Sequence, residues 1–476
     1  MRYISTRDGR SPAEARPFDD ILLAGLAPDG GLYVPETWPV FDAGALRALK
    51  GKSYAEIAFA VTWPFLGDAV PQTEWRAIID QAYRGFDDAA VAPLRQLAPD
   101  LYLLELFHGP TLAFKDYALQ LIGPLFDAVL KRKNRRVTVI GATSGDTGSA
   151  AIEACRDREA IDIFMLYPAG RISEVQRRQM TTVQSPNVHA VAIDGTFDDC
   201  QDLVKAMFAD EKFRDAFHLS AVNSINWARI MAQIVYYVAA GVALGAPSTP
   251  VAFAVPTGNF GNVYAAHAAR HMGLPVSRLI VATNRNDILV RFFNQGDMTI
   301  GKVEPTISPS MDIQVSSNFE RLYFELAGRD GKAVASAFAE FRKTGRLPVT
   351  RAQWENSRRL FSAYRIDEDQ TRAAIAAVYK ESGRLIDPHS AVALAAAKRA
   401  RGDKSVKMPG GPWVAVATAH PAKVPDAVES ATGVRPEAPP RLAQIMKLPE
   451  RLEKLPNRLD AVEDFIASRA RLGRGR

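Results

Sequence analysis

Residues 135–157, RRVTVIGATSGDTGSAAIEACRD, pass from two arginines into a short apolar run, through a loop of Gly, Ser and Thr, and out into an alanine-rich helical pattern. An unbroken apolar run reads as a strand buried on both faces, and the small-residue loop leading into a helix makes one strand-loop-helix unit of a parallel sheet. The theme returns at 250–273, PVAFAVPTGNFGNVYAAHAARHMG, followed by a strand at RLIVATN (278–284). Between the two units, AIDIFMLYP (160–168) and NVHAVAIDG (187–195) read as strands, and FDDCQDLVKAMFAD (197–210) and WARIMAQIVYYVAAGVALG (227–245) as helices. The last strand pattern lies in PWVAVATAHPAK (412–423). Strands alternating with helices at this spacing predict an α/β chain with two open, mainly parallel, twisted sheets covered by helices.

Residues 1–95 read as an N-terminal α/β extension, with a turn at APDGGLYVPE (27–36) and helical patterns at YAEIAFAVTWPFLG (54–67) and TEWRAIIDQAYRGF (73–86). The expected division is therefore 1–95, then 96–225 with the first loop, 226–435 with the second, and 436–476 as a C-terminal helical tail. In that tail PEAPPRLAQIMKLPERLEKLPNRLDAVEDFIASRA (436–470) holds one helix pattern, and RLGRGR (471–476) is expected to fray.

The 476 residues are too many for one compact core. Hydrophobic and charged fractions of 47% and 24% are those of an ordinary globular protein. The net charge of +6 is spread without a basic block, which favours small anions over nucleic acid as partners. The first twenty residues contain no apolar signal core, and no uncharged run approaches the roughly 20 residues that cross a bilayer, so a soluble cytoplasmic protein without membrane attachment is expected. Cys155 and Cys200 form no CxxC pair and read as packing residues of a reduced compartment. The seven histidines lack HExxH spacing, so no metal site is expected.

Both strand-loop-helix units place a loop where ligands collect in open α/β sheets. The loop GATSGDTGSA (141–150) lacks the GK[ST] of a triphosphate loop and the spacing of a dinucleotide loop. It offers the hydroxyls of Thr143, Ser144 and Thr147 to a carboxylate or phosphate, or it is simply a tight turn. The loop PTGNFGN (256–262) has no cation of its own, and its glycines let main-chain N–H groups converge on an anion. A third feature is Lys115 in FHGPTLAFKDYALQ (107–120), an amine among apolar neighbours. Alone it reads as a lysine whose stem lies along apolar surface. Beside a phosphate cradle, a desolvated lysine suits a Schiff base with an aldehyde cofactor that carries its own phosphate, which is the description of pyridoxal 5'-phosphate.

The ordered strings YISTR (3–7), GLAPDGGLYVPE (25–36), HGPTLAFKD (108–116), GATSGDTGSAA (141–151), GRISEVQRRQM (170–180), VNSINWARI (222–230), PTGNFGN (256–262), SSNFERL (316–322) and ATAHPAK (417–423) make the chain resemble the threonine synthase family of fold-type II pyridoxal-phosphate enzymes. The resemblance implies conversion of O-phospho-L-homoserine and water to L-threonine and phosphate. It implies that Lys115 is the Schiff-base lysine, that Gly258, Asn259, Phe260, Gly261 and Asn262 hold the cofactor phosphate, and that Thr418 faces the pyridine nitrogen. A hydroxyl there makes a weaker electron sink than a carboxylate would. The substrate carboxylate would go to Thr143, Ser144 and Thr147. The substrate phosphate would go to Ser316, Ser317, Asn318 and Arg321, with Arg229 and Lys423 as further candidates. Asp146 is expected to cap the helix that follows it, and His108, Asp116 and His420 are expected to be structural. The resemblance leaves a monomer or homodimer open. Rival readings are another enzyme of the same fold, such as a serine/threonine dehydratase, and a non-catalytic regulator that binds an anionic amino acid.

Overall fold

The computed structural model describes residues 1–221, 223–404 and 410–472. A small antiparallel pair, β1 (Tyr3–Ser5) and β2 (Tyr33–Pro35), opens the chain. The helices Tyr54–Leu66 and Gln72–Arg84 follow it. Tyr3, Trp38 and Phe65 pack their rings around Trp227, which seats this N-terminal unit on the central helix Trp227–Ala243.

The strands that follow are β3 (Leu94–Ala98), β4 (Leu101–Glu105), β5 (Val137–Ala142), β6 (Ile161–Pro168), β7 (Val188–Asp194), β8 (Leu219–Ser220), β9 (Val251–Pro256), β10 (Val276–Thr283), β11 (Phe361–Arg365), β12 (Trp413–Ala417) and β13 (Glu453–Pro456). One sheet has the order β11-β10-β9-β12-β4-β3 and is parallel except for β3, which runs antiparallel to β4. The other, β13-β7-β6-β5-β8, is parallel throughout. Every residue of β6, β9 and β12 is buried, as strands covered by helices on both faces require. The two mainly parallel sheets expected from the sequence are therefore present.

Two boundaries differ from the expectation. Strand β4, placed with the first loop by the 96–225 division, and β3, which the boundary at 95/96 cuts, hydrogen-bond instead into the sheet of the second loop, because β4 pairs in parallel register with β12 from Leu101↔Trp413 to Glu105↔Ala417. The C-terminal segment is more than a helical tail. Its strand β13 extends the five-stranded sheet, and Val462 and Ile466 of the helix Leu459–Arg469 enter that sheet's core beside Phe164 and Met207. Arg471, expected to fray, is held by Asp162 (Nε to Oδ1, 2.7 Å); the rest of that expectation, at 473–476, lies outside the described residues. Among the described residues no helix is long and apolar enough to cross a membrane.

Candidate active site

The register of β4 on β12 brings Lys115 to Thr418. Just beyond the paired strands the Phe114 amide donates to the Thr418 carbonyl (2.8 Å), the His420 amide donates to the Leu112 carbonyl (3.0 Å), and Ala113 bridges Ala419. Leu112 sits in the left-handed region (φ 62°), a strained conformation held by this pairing, and the turn delivers Lys115 as the first residue of the helix Lys115–Arg132. That helix runs close against Asp146–Cys155: a Cβ on Gly123 would lie 2.1 Å from the Ala154 carbonyl oxygen, so only glycine permits the approach that sets Lys115 beside Asp146.

A cleft follows, walled by Phe114, Lys115 and Thr147, by Ser224, Arg229 and Gln233, by the loop Pro256–Asn262, and by Ser310, Met311, His389 and Thr418. Its floor is the start of the helix Gly261–His271. Phe260, at φ 64°, turns the chain into that helix and is fixed by packing against Phe293, Phe319 and Phe361. No side chain caps this helix, so its first-turn amides are open to an anion. The Oδ1 of Asn262 accepts from the hydroxyls of Tyr236 (2.6 Å) and Tyr237 (2.7 Å), while its buried Nδ2 has no partner among the described residues. Arg229 is 3% exposed, and its Nε and Nη1 also lack partners. Burial pushes this guanidinium down to about 10.

Among the described residues the Lys115 amine has no hydrogen-bond partner; Asp146 Oδ2 is 3.8 Å away. Burial pushes the amine below its ordinary value, Asp146 opposes that, and the charges of Lys423 and Arg229 add to it. Asp146 departs from its expected role. It makes no side-chain cap, and its Oδ1 instead accepts from Lys423 Nζ (2.8 Å) and Gln176 Nε2 (3.1 Å). Burial would raise this carboxyl, but Lys423 and Lys115 hold it well below the usual carboxylate range.

Of the hydroxyls assigned to the substrate carboxylate, Thr147 lines the cleft. Thr143 does not: its Oγ1 accepts from the amides of Gly145 and Gly148 (2.9 Å each), holding the loop in shape, and Ser144 is exposed outside the cleft walls. The assignments to the substrate phosphate also change. Arg321 is fully buried, with Nε donating to the Tyr33 carbonyl (3.0 Å), Nη2 to that of Ile225 (2.6 Å) and Nη1 to Asn318 Oδ1. Its donors are taken by the N-terminal unit and the 223–226 turn. Ser316 donates to the Gly258 carbonyl (2.6 Å), Ser317 to Asn259 Oδ1 (3.2 Å), and the Asn318 amide to the Asn259 carbonyl (3.0 Å). These three brace the glycine loop and do not line the cleft. Lys423 has its three donors occupied, by Asp146, the Thr111 carbonyl (2.8 Å) and Gln179 Oε1 (3.1 Å). Among these candidates for the phosphate, Arg229 alone keeps open donors on the cleft wall.

His108 is bound by Glu105 (2.9 Å), and Asp116 accepts from the Thr111 amide (2.8 Å) and hydroxyl (2.6 Å); neither lines the cleft. Burial pushes Asp116 up to about 6. Burial likewise raises the thiols of Cys155 and Cys200 to about 12, as inert packing residues require. His420 Nδ1 accepts from the Ala422 amide (3.1 Å), and burial holds the ring at about 4 against an ordinary 6.5. Between those values the unfolded chain binds a proton that the folded chain does not, so the stability this ring contributes is complete above about pH 6.5 and lost as pH falls toward 4. His420→Gln is expected to flatten the acid limb of stability, read as urea midpoints at successive pH values from 7 to 4; an unchanged slope in the variant would count against this origin.

The segment DPHS (387–390) was missed by sequence reasoning. Asp387 caps the helix Pro388–Gly402, binds His389 Nδ1 (2.7 Å) and orients Ser390, whose Oγ accepts from the Thr418 amide (3.2 Å). An Asp followed at once by proline is a helix-start signal, but nothing local shows what that start faces. Open first-turn amides and the Asn262 side-chain amide form the donor set of a phosphate site, the Arg229 guanidinium offers a second anion a place on the same wall, and the Lys115 amine shares the cleft. Pyridoxal phosphate fits this set.

Comparison with known proteins agrees. Residues 2–83 match the family described as threonine synthase N terminus, 89–344 the pyridoxal-phosphate dependent enzymes, and 390–466 the threonine synthase C-terminal family. The chain is 52% identical to threonine synthase of Pseudomonas aeruginosa over 100% of both chains, and 44% identical to that of Corynebacterium glutamicum over 98% of both. It is also similar to the crystal structure of PLP-bound threonine synthase from Brucella melitensis, at TM-score 0.95 and 49% identity, covering 99% of this chain and 100% of that one.

Proposed function

The chain belongs to the threonine synthase family, and we propose that its cleft converts O-phospho-L-homoserine and water into L-threonine and phosphate as a pyridoxal-phosphate-dependent lyase. The observation that carries this reading is the meeting, in one cleft, of the unbonded Lys115 amine with the uncapped end of the helix Gly261–His271. Pyridoxal phosphate, when bound, supplies the electron sink that makes the hydrogens of the substrate backbone acidic.

The loop Gly258–Asn262 takes the cofactor phosphate on its amides, with Asn262 Nδ2 as a further donor. Thr418, on the cleft wall, would offer a hydroxyl, not a carboxylate, to the cofactor's ring nitrogen. Lys115, as the neutral amine that burial favours, takes the proton lost from Cα and hands it to the phosphate oxygen that will leave, then takes the one lost from Cβ as phosphate departs from Cγ and returns it to Cγ. When water adds at Cβ, Lys115 takes the proton the water releases and delivers it to Cα. Thr147 takes the substrate carboxylate, and Arg229 takes the substrate phosphate. The buried Arg229, Gln233 and Thr418 keep the inner end of the cleft away from bulk water. The two buried, unpaired cysteines suit a reducing compartment, and we place the enzyme in the cytoplasm, as a monomer or homodimer acting on a small molecule and not on nucleic acid.

The test is to incubate the purified enzyme with O-phospho-L-homoserine and follow phosphate and threonine together. Equal yields of the two are expected. Inertness toward this substrate, with a keto acid formed from serine or threonine, would move the chain to a dehydratase activity.

A further inference from the structure

Lys423 and Asp146 are a buried ion pair that the reaction above does not use. The Lys423 side chain is 1% exposed and its ammonium is saturated by Asp146 Oδ1, the Thr111 carbonyl and Gln179 Oε1. The other Asp146 oxygen lies 3.8 Å from the Lys115 amine. One carboxylate therefore stands between two lysines, closely bonded to one and loosely to the other.

We propose that Lys423 is a positioning residue: by occupying Asp146 it keeps that carboxylate from forming a full ion pair with Lys115, so Lys115 stays available as an unprotonated amine. This rests on Lys115 being the reactive lysine.

The physical ground is competition for one anion. A carboxylate within about 4–6 Å stabilises an ammonium by 1–3 pKa units, and a lone Asp146 beside Lys115 would do so fully. Lys423 opposes that pull, since its positive charge is bonded to the other oxygen of the same carboxylate. The charged groups facing Lys115 are Asp146 on the helix Asp146–Cys155, Lys423 on the turn Pro421–Lys423, Arg229 on the helix Trp227–Ala243 and Asp116 on its own helix. Of these, Arg229 acts in the same direction as Lys423, and Asp116 is spent on Thr111. Gln176 bonds the same Asp146 oxygen as Lys423 and so holds the carboxylate turned toward it.

The test is the pH dependence of Lys115 acetylation by acetic anhydride in the full-length chain freed of cofactor, read on the Lys115 peptide by mass spectrometry, with circular dichroism to confirm folding. Lys423→Met is expected to raise the labelling midpoint by about 1–3 units. Lys423→Arg should restore it, and Asp146→Asn combined with Lys423→Met should bring it back toward the parent value. A midpoint that Lys423→Met leaves unchanged or lowers would overturn the proposal. If Lys423→Met does not fold, Asp146→Asn alone decides: the proposal requires it to lower the midpoint, and an unchanged midpoint refutes it. Because labelling needs no turnover, these outcomes stand apart from whether the chain makes threonine.

Discussion

Replacing Lys115 by alanine is expected to lower threonine formation by at least about 10³-fold while leaving the fold intact. Positioned acid–base groups contribute roughly 10²–10⁴-fold, and this lysine serves several proton transfers as well as anchoring the cofactor. Its loss should not weaken the folded state, because the amine makes no hydrogen bond and its carboxylate neighbour is satisfied by Lys423. The measurement is phosphate release from O-phospho-L-homoserine alongside thermal denaturation of both proteins. Activity within about tenfold of the parent would remove Lys115 from the chemistry. An inactive and unfolded variant would instead mark it as structural, which a side chain without hydrogen-bond partners does not support.

Arg229→Met is expected to act with opposite signs on stability and on binding. In the ligand-free protein the change removes a buried cation with two unpartnered nitrogens, so the melting temperature should hold or rise. With substrate present the same change removes the counter-charge for a phosphate. Losing one partner of a buried charge pair costs about 2–5 kcal/mol, and KM for O-phospho-L-homoserine should rise from about 30-fold to a few thousand-fold. The pair of measurements is discriminating. A fall in both stability and binding would mean that the guanidinium holds the helix Trp227–Ala243 in place. A weakened affinity for pyridoxal phosphate with an unchanged KM would assign Arg229 to the cofactor's phosphate.

Arginines 229 and 321 show where reading along the chain stops. Each lies in the first turn of a helix, within one of the strings that carry the family resemblance, and nothing nearby in sequence separates them. The carbonyls of Tyr33 and Ile225 reach Arg321 and none reaches the open nitrogens of Arg229, so one is a staple between units and the other a wall of the cleft. Serines 316 and 317 failed as substrate ligands for the same reason, since their hydroxyls were already claimed by the loop they brace. Asp146 failed as a cap because a lysine far along the chain competes for its carboxylate.

The sequence by itself determined the α/β class, the two strand-loop-helix units, and the presence of a lysine in an apolar stretch and of a glycine loop at a strand end, because these are set by local apolar runs, by glycine's backbone freedom and by contiguous strings. The tertiary structure decided that β4 lies beside β12, that EKLP at 453–456 is an edge strand of the other sheet, and which polar groups remain open. The physical reason is that strand pairing and hydrogen-bond satisfaction are relations between distant segments: a side chain's type is written where it stands, but whether its donors are spent depends on what folding brings against it.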